Sequence, residues 1–428
     1  MEWHNSLAFA QDQDINDEFA AFREEFLFPQ NNGKDVIYLC GNSLGLQPKA
    51  VVEEITKQLS SWQQLGVEGW FNGSDPWLQY HRKLAAPIAN IVGAKDSEVT
   101  VMSSLTVNLH LLLVSFYKPA KKKYKILMEG GAFPSDQYAI ESQVRFHGFD
   151  PEDAIIEVFP PEGEYTLRTE DIVAAIEANA DDLALVLFSG INYYTGQFFD
   201  IETITQAAHE RGIPAGFDLA HAVGNVNLKL HDWNVDFACW CSYKYMNSGP
   251  GGISGIFVHE QHHRDSTLNR FAGWWGYKLN ERFKMTQGFV PEAGAEGWQV
   301  STSPILLMAS LHASLQLFER AGSVAKLRQK ADRLTAYLEY LINGINKDLG
   351  TEQYKIITPA QQSARGSQLS IICKSNGKKI FDKLLDQGVI GDWREPDVIR
   401  LAPVPLYNTF TDVYHAAEIM KEAASATA

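Results

Sequence analysis

The segment that decides the fold is Asp236-Phe237-Ala238-Cys239-Trp240-Cys241-Ser242-Tyr243-Lys244. It is an apolar run that ends in a lysine, and the glycine-rich stretch Gly249-Pro250-Gly251-Gly252 follows it. A second apolar run upstream, Ala215-Gly216-Phe217-Asp218, ends in a carboxylate. Short apolar runs of this kind are typical of strands that are buried on both faces, so we expect Lys244 and Asp218 at the ends of two buried strands.

A lysine at the end of a buried strand is well placed for covalent chemistry, because an amine that loses solvation can attack an aldehyde and form a Schiff base. A nearby carboxylate can pair with a protonated pyridine nitrogen, and the two groups together are the signature of pyridoxal phosphate (PLP) enzymes. Taken singly, Lys244 could be a solvated cap and Asp218 a helix N-cap. Together they favour a PLP site, because both polar groups interrupt strongly apolar strands.

Two further segments have the character of helix N-termini that could bind a cofactor phosphate. Ser103-Ser104-Leu105-Thr106 closes one predicted strand and opens a helix, where free amides and hydroxyls attract an anion, although a plain N-cap is the alternative. Phe133-Pro134-Ser135-Asp136 opens another helix, and its phenylalanine offers an aromatic face to a flat ring. Tyr243 and His221 could reach the cofactor, or could be packing and structural residues.

Arg400 lies within the apolar stretch Val398-Ile399-Arg400-Leu401-Ala402. A guanidinium group matches a carboxylate with two hydrogen bonds, so an arginine in this setting suggests a small-molecule amino-acid substrate. An ordinary internal salt bridge is the alternative. The presence of Lys244 and Asp218 in the same chain favours the hypothesis that Arg400 binds a substrate.

Composition limits the class of protein. The net charge of -15 makes a nucleic-acid surface unexpected, because phosphate binding needs concentrated basic charge. The four cysteines show neither disulfide-framework density nor metal-ligand spacing, so we expect reduced thiols, no metal and a cytoplasmic location. The N-terminus is rich in acidic and amide residues rather than a secretory signal, and no apolar stretch reaches membrane-spanning length, so no membrane association is expected.

Strands and helices alternate in the middle of the chain. The pattern predicts helices at residues 106–116, 135–147, 169–179 and 201–211. It predicts seven strands, at residues 99–102, 126–128, 155–158, 183–188, 215–218, 237–241 and 255–258. Buried strands that alternate with helices indicate an α/β fold with a largely parallel sheet, whose ligands bind beyond the carboxyl ends of the strands.

The composition changes after about Ser303, which predicts a second, smaller α+β domain. Residues 305–349 have the pattern of one long helix, followed by strands at 369–372 and 398–402 and a final helix from about Asp412. We therefore expect three parts. Residues 1–60 would pack on the small domain, residues 61–303 would form the large PLP-binding domain, and residues 304–428 would form the small C-terminal domain.

A series of motifs, in this order, resembles the kynureninase family of fold-type-I PLP enzymes, in the class V group of the aminotransferase superfamily. The similarity covers nearly the whole chain. The motifs include Gly41-Asn42-Ser43-Leu44-Gly45-Leu46-Gln47-Pro48, Ala132-Phe133-Pro134-Ser135-Asp136 and Tyr194-Thr195-Gly196-Gln197. The others lie at residues 105–110, 216–225, 236–252 and 401–408. The resemblance implies a homodimer with shared active sites that hydrolyses L-kynurenine and 3-hydroxykynurenine, in tryptophan catabolism or NAD precursor synthesis.

The resemblance also implies roles for individual residues. Lys244 would attach the cofactor, Asp218 would hold its ring nitrogen, and Tyr243 would assist catalysis. Arg400 would bind the substrate carboxylate, with Ser43, Trp70 and Trp275 as further substrate contacts. The remaining cofactor contacts would be Leu105, Thr106, Phe133, Pro134, Ser135, Asp136, Ser189 and His221, together with Trp274 and Thr302 from the partner subunit.

Three departures from the family pattern and three competing functions remain. Animal members have asparagine where this chain has Thr302 and a histidine in the segment aligned with Trp70, which favours unhydroxylated kynurenine as substrate; Tyr277 also replaces a histidine common in animal members. A class V aminotransferase would use the same site. A cysteine desulfurase would need an exposed nucleophilic cysteine on a loop, and a non-catalytic protein on the same fold would not need Lys244, Asp218 and Arg400 together.

Overall fold

The computed structural model describes residues 2–427, and its largest element within that range is a sheet of seven strands. Their order across the sheet is β1-β7-β6-β5-β4-β2-β3 when they are numbered along the chain. The strands are β1 (Val99–Val101), β2 (Lys125–Glu129), β3 (Ile155–Val158), β4 (Leu183–Ser189), β5 (Ala215–Asp218), β6 (Phe237–Trp240) and β7 (Gly255–Val258). Strand β7 is antiparallel to both neighbours and the other adjacent pairs are parallel, which confirms the predicted sheet.

Every residue of β5, β6 and β7 is buried, as expected for strands covered by helices on both faces. Several predicted boundaries differ from the observed ones by one or two residues; β6, for example, ends at Trp240 rather than at Cys241. The reason lies in the neighbouring strands. Trp240 pairs with Gly255, the first residue of β7, and β5 ends at the residue opposite Cys239, so the ladder has no further partners.

The α-helices of more than one turn pack on this sheet and on a second, smaller sheet. They are α1 (Leu7–Ile15), α2 (Ala50–Leu65), α3 (Arg82–Val92), α4 (Leu105–Phe116), α5 (Pro134–Phe146), α6 (Thr169–Ala178), α7 (Ile201–Glu210), α8 (Ile305–Ala321), α9 (Val324–Leu349), α10 (Gly377–Asp386) and α11 (Phe410–Thr427). Single turns lie at Pro151–Ala154 and Leu279–Arg282. Within residues 2–427, no helix is long and apolar enough to cross a membrane.

The single long helix predicted for residues 305–349 was wrong, because the structure has two helices, α8 and α9. Gly322 separates them with a φ of 91°, a backbone conformation that glycine adopts most easily. Ser323 then caps α9, since its side chain accepts a hydrogen bond from the Lys326 amide. Apolar residues continue at helical spacing on both sides of Gly322. The sequence pattern alone therefore did not reveal the break between the two helices.

A second sheet of four antiparallel strands lies in the C-terminal part of the described chain. Its strands are β8 (Tyr354–Ile356), β9 (Leu369–Cys373), β10 (Asp392–Arg394) and β11 (Val398–Leu401), in the order β8-β9-β11-β10. The sequence pattern predicted β9 and β11, whereas β8 and β10 have only three residues each and gave no periodic signal. The register places Asp392 of β10 opposite Arg400 of β11.

The N-terminal segment contacts both sheets. Ile37–Tyr38 pairs in parallel with Val389–Ile390 as a separate two-stranded sheet. Leu39 packs into the core of the four-stranded sheet, and Leu46 packs into the core of the large sheet. The segment then passes the turn that contains Lys244. There the Gly45 amide donates a 2.8 Å hydrogen bond to the Tyr243 carbonyl oxygen. A Cβ atom on Gly45 would lie 2.4 Å from the carbonyl oxygen of Lys244, so only glycine fits there. The three-part division of the chain stays a prediction.

Candidate active site

The parallel strands bring their carboxyl ends to one edge of the sheet. Asp218 of β5 lies opposite Ser189 of β4 in the register, and Lys244 follows the end of β6 by four residues. A cavity opens at this edge. Its walls include ten of the residues expected at a cofactor site: Leu105, Thr106, Phe133, Ser135, Asp136, Ser189, Asp218, His221, Tyr243 and Lys244.

The amine of Lys244 lies beside one imidazole and two aromatic rings. Its Nζ is 3.0 Å from Nε2 of His221 and 5.9 Å from the ring centroids of Phe133 and Tyr243. Burial, and then the positive charge of Lys244, hold the pKa of His221 well below its usual range, so this imidazole is neutral and can accept a hydrogen bond from the amine. Among the described residues, Nδ1 of His221 has no hydrogen-bond partner although it is buried. The cavity wall therefore has capacity for a ligand.

Three buried carboxyl groups lie together under the cavity. Burial raises the pKa of Asp136 well above its usual range, and the adjacent charge of Asp218 adds to the effect. Burial also raises the pKa of Asp218, but the Ala220 amide, 2.7 Å from its Oδ1, and the Lys244 charge oppose this. The proton of the Asp136–Asp218 pair therefore resides on Asp136. Asp218 carries the negative charge, which suits a cationic ring nitrogen.

Glu129 is the third carboxyl group, at the end of β2. It is 2% exposed, and burial raises its pKa to about 7. Its carboxylate accepts a hydrogen bond from the Ser189 amide at 2.9 Å and another from the Ser189 hydroxyl. Glu129 was missed in the sequence, although it ends an apolar strand in the same way as Asp218.

The opposite end of the cavity has the character of an anion site. The hydroxyl groups of Thr106 and Ser135 are 2.7 Å apart, so the N-termini of α4 and α5 converge there. Pro134 is the first residue of α5, and the Ser104 side chain at the start of α4 makes no capping hydrogen bond. Converging helix N-termini present amide groups and partial positive charge to an anion such as a phosphate.

Arg400 is 1% exposed and lies on β11, beside the cavity. Its Nη1 donates a 2.6 Å hydrogen bond to the carbonyl oxygen of Tyr193, a residue of the cavity wall. Its Nη2 donates to the Asp392 carboxylate and lies 3.4 Å from the Ser43 hydroxyl. The predicted pair of Ser43 and Arg400 is therefore brought together. Asp392 was missed because strand register, not spacing along the chain, places it there. Tyr193 was missed because its contribution is a backbone carbonyl in a turn after β4.

Four predicted residues lie away from this cavity within the described part of the chain. Trp274 is 45% exposed, and Thr302 is also exposed. Trp70 and Trp275 contact each other with ring centroids 5.5 Å apart, and Trp70 makes a second edge contact with Trp77, also at 5.5 Å. The protomer therefore does not bring these four side chains to Lys244, and their roles stay predictions.

All four cysteines are buried. Burial raises the pKa of the Cys40 and Cys241 thiols to about 11 and that of Cys373 to about 12, and it also raises the pKa of the Cys239 thiol well above its usual range. A nucleophilic cysteine needs the opposite features, exposure and a lowered pKa. The cysteine-based alternative therefore lacks its essential residue.

One group of potential metal ligands lies at the other edge of the large sheet. The Glu98 carboxylate accepts hydrogen bonds from His231 Nδ1 at 2.9 Å and from the amides of Lys95 and Glu260 at 2.9 and 2.8 Å. Nε2 of His259 is 4.0 Å from the same carboxylate. However, Nδ1 of His259 accepts the Gln261 amide proton, which leaves the ring proton on Nε2. We therefore assign this group a structural role.

A family model and curated relatives of this chain share one family name. Residues 327–420 match the family model described as the kynureninase C-terminal domain. A kynureninase of Flavobacterium psychrophilum is 55% identical over 422 residues, which cover 99% of each chain. A kynureninase of Nematostella vectensis is 52% identical, with 98% of this chain and 94% of its own length covered.

Solved structures show a more distant likeness. The apo cysteine desulfurase of Thermococcus onnurineus superposes with a TM-score of 0.75 at 16% identity and covers 91% of this chain and 95% of its own. The cystine C–S lyase C-DES, in complex with cysteine persulfide, does so with a TM-score of 0.75 at 17% identity, covering 90% and 97%. At these identities the likeness concerns the fold alone.

Proposed function

The chain belongs to the kynureninase family, and from this premise we propose that it uses PLP to hydrolyse L-kynurenine to anthranilate and L-alanine. The observation that carries the proposal is the convergence of Lys244, Asp218 and Arg400 around one cavity. PLP, when bound, supplies an electron sink for the pair of electrons left as bonds at the substrate α- and β-carbons break. The residues around the cavity fit this cofactor at both of its polar ends.

Each part of the cavity has a role in holding PLP. The N-termini of α4 and α5, with the hydroxyls of Thr106 and Ser135, would bind the phosphate. The ionised Asp218, supported by the protonated Asp136, would pair with the ring nitrogen. Phe133 would cover one face of the ring, and Lys244 would supply the amine for covalent attachment.

The reaction requires a residue that binds the substrate carboxylate and residues that transfer protons at two different positions of the substrate. Arg400 would bind the α-carboxylate and so present the α-carbon to Lys244, whose amine would remove the α-proton. Tyr243 would donate and accept protons at the aryl ketone, where water adds before the carbon–carbon bond breaks. Burial, and then Cys241, raise the pKa of Tyr243, so its hydroxyl keeps its proton and can act as an acid. Neutral His221 would accept a hydrogen bond from the Lys244 amine between these steps.

Product analysis tests the activity directly. Purified protein loaded with PLP is incubated with L-kynurenine, and anthranilate and L-alanine are measured. Hydrolysis should give the two products in equal amounts without any oxo-acid co-substrate. An aminotransferase would need such a co-substrate and would leave the bond between the β-carbon and the aryl ketone intact. Turnover that depends on an oxo acid would contradict the proposal.

We also propose a homodimer in which each active site receives Trp274 and Thr302 from the partner subunit. These side chains are exposed, they lie outside the cavity of their own protomer, and Trp274 belongs to an aromatic group with Trp275 and Phe283. Trp274, Phe283 and Met285 are all exposed, and contiguous exposed apolar patches mark surfaces that bind another protein.

Mixing Lys244→Ala and Trp274→Ala proteins tests the shared site. A hybrid dimer would contain one site with both residues intact, so dissociation and random reassembly should restore about one quarter of wild-type activity, since half of two-fold dimers are then hybrids. Each variant reassembled alone is the control. Full activity in a species that sediments as a monomer would contradict the shared-site proposal.

Within this function we expect a preference for L-kynurenine over 3-hydroxykynurenine. Thr302 lacks the amide of asparagine, and Trp70 would present a flat apolar surface to the aryl ring. A ring hydroxyl would lose water without gaining a partner, which costs about 1–3 kcal/mol. The ratio of kcat/KM should therefore favour L-kynurenine by roughly tenfold or more.

The double variant Thr302→Asn, Trp70→His should shift this ratio towards 3-hydroxykynurenine. The matched control is Trp62→His, which changes an exposed tryptophan of α2 in the same way. A ratio that favours the hydroxylated substrate in the wild-type protein, or a ratio that the double variant leaves unchanged, would show that other residues set the preference.

A cytoplasmic location is the last part of the proposal. The four cysteines are buried as free thiols, which agrees with a reducing compartment. Fractionation of cells that express the protein would test it, and recovery in a secreted or membrane fraction would contradict it.

A further inference from the structure

The guanidinium group of Arg400 is already paired with a carboxylate of its own chain, that of Asp392. Its Nη2 donates to Oδ2 of Asp392, and Nη1 donates to the Tyr193 carbonyl oxygen at 2.6 Å. The Ser43 hydroxyl donates to the same Asp392 oxygen. A buried guanidinium needs a counter-charge, and Asp392 supplies it when no substrate carboxylate is present.

Asp392 also has a second cationic neighbour. Nη2 of Arg394 lies 3.3 Å from Oδ2 of Asp392. Asp392 and Arg394 are two residues apart on β10 and therefore point to the same face of the strand. The Arg394 side chain is 38% exposed, whereas those of Asp392 and Arg400 are 12% and 1% exposed. Arg394, the more solvated arginine, therefore lies next to the ion pair of Asp392 and Arg400.

The charges in this group are unbalanced by one. Two guanidinium groups, Arg394 and Arg400, face one carboxylate. The other ionisable groups nearby do not correct the difference, because His221 is neutral and burial raises the pKa of the Cys40 thiol to about 11. One additional carboxylate would balance the group, and an amino-acid substrate brings one.

We propose that Asp392 is an internal competitor for Arg400 and that Arg394 accepts Asp392 when the substrate carboxylate arrives. The inference rests on the proposed function, since it concerns the carboxylate site of that reaction. A carboxylate that binds Arg400 through two hydrogen bonds must take over the Nη2 that Asp392 occupies. Arg394 lowers the free-energy cost of displacing Asp392 from Arg400, because Asp392 then still has a cationic partner. Asp392 and Arg394 are positioning residues that set the affinity for the amino acid.

Two substitutions should move this affinity in opposite directions. Asp392→Asn keeps the shape and an oxygen acceptor for Ser43 but removes the competing charge, so L-alanine should bind the PLP-loaded enzyme about tenfold more tightly. Arg394→Gln deprives Asp392 of its second partner, so L-alanine should bind more weakly by a similar factor. Titration calorimetry measures both dissociation constants without any turnover.

Asp397→Asn is the matched control, because it removes the same charge close to the same hairpin without an Arg400 contact. It should leave the dissociation constant for L-alanine unchanged. The ligand-free Asp392→Asn protein should also melt at a lower temperature than wild type, and saturating L-alanine should remove most of that difference.

The outcomes separate this inference from the proposed reaction. A dissociation constant that is unchanged or higher in Asp392→Asn would overturn the inference, and so would shifts of the same sign in Asp392→Asn and Arg394→Gln. If kynurenine is not cleaved but the two opposite shifts appear, the reaction is wrong while the carboxylate exchange stands. If Asp392→Asn does not fold, tighter or unchanged binding in Arg394→Gln alone overturns the inference.

Discussion

Replacing Lys244 with alanine should lower kcat for L-kynurenine by at least about 10³-fold, because the variant would lose both the proposed covalent anchor of PLP and the proposed base for the α-proton. Its fold should persist, since the Lys244 amine contacts only the cavity wall, at His221 and two aromatic rings. Steady-state kinetics and circular dichroism measure the two effects.

Borohydride reduction adds an independent readout. The wild-type protein should carry reduced cofactor on the peptide that contains Lys244, and the Lys244→Ala protein should carry none. Lys229→Ala, at an exposed lysine between β5 and β6, is the control and should behave as wild type. If the reduced cofactor were found on a peptide without Lys244, the assignment of the anchor would be wrong.

The second large effect is expected at Asp218. Asparagine keeps the shape of the side chain but removes the negative charge that we propose faces the ring nitrogen, so the electron sink should weaken. We expect kcat to fall by about 10²-fold or more, with a smaller change in the affinity for substrate, because the charge acts mainly on the transition state. Kinetics at saturating PLP measures kcat and KM separately.

Asp136→Asn is the matched comparison for this variant. The proton of the Asp136–Asp218 pair resides on Asp136, so asparagine removes no charge there and can still donate a hydrogen bond to Asp218. Its kcat should fall much less than that of Asp218→Asn. Near-wild-type kcat in Asp218→Asn, or an equal loss in both variants, would refute the assigned division of charge.

The sequence was sufficient for those features that depend on short, continuous segments. The apolar runs that end at Asp218 and Val258 became strands with the predicted bounds, because a strand covered on both faces must be apolar throughout. Lys244 and Asp218 stood out because a charge that interrupts such a run is costly without a function. The rule that ligands bind at the carboxyl ends of parallel strands then placed both groups at one edge of the sheet.

Only the tertiary structure could decide features that depend on register and burial. Asp392 meets Arg400 because β10 and β11 are antiparallel neighbours, and no local pattern marked β10 as a strand. The protonation of Asp136 follows from burial beside Asp218, and Asp136 and Asp218 are distant along the chain. The end of β6 at Trp240 depends on where its neighbours end. Spacing along a chain predicts which residues share a face, whereas the energies of buried charges and hydrogen-bonded ladders depend on groups that only folding brings together.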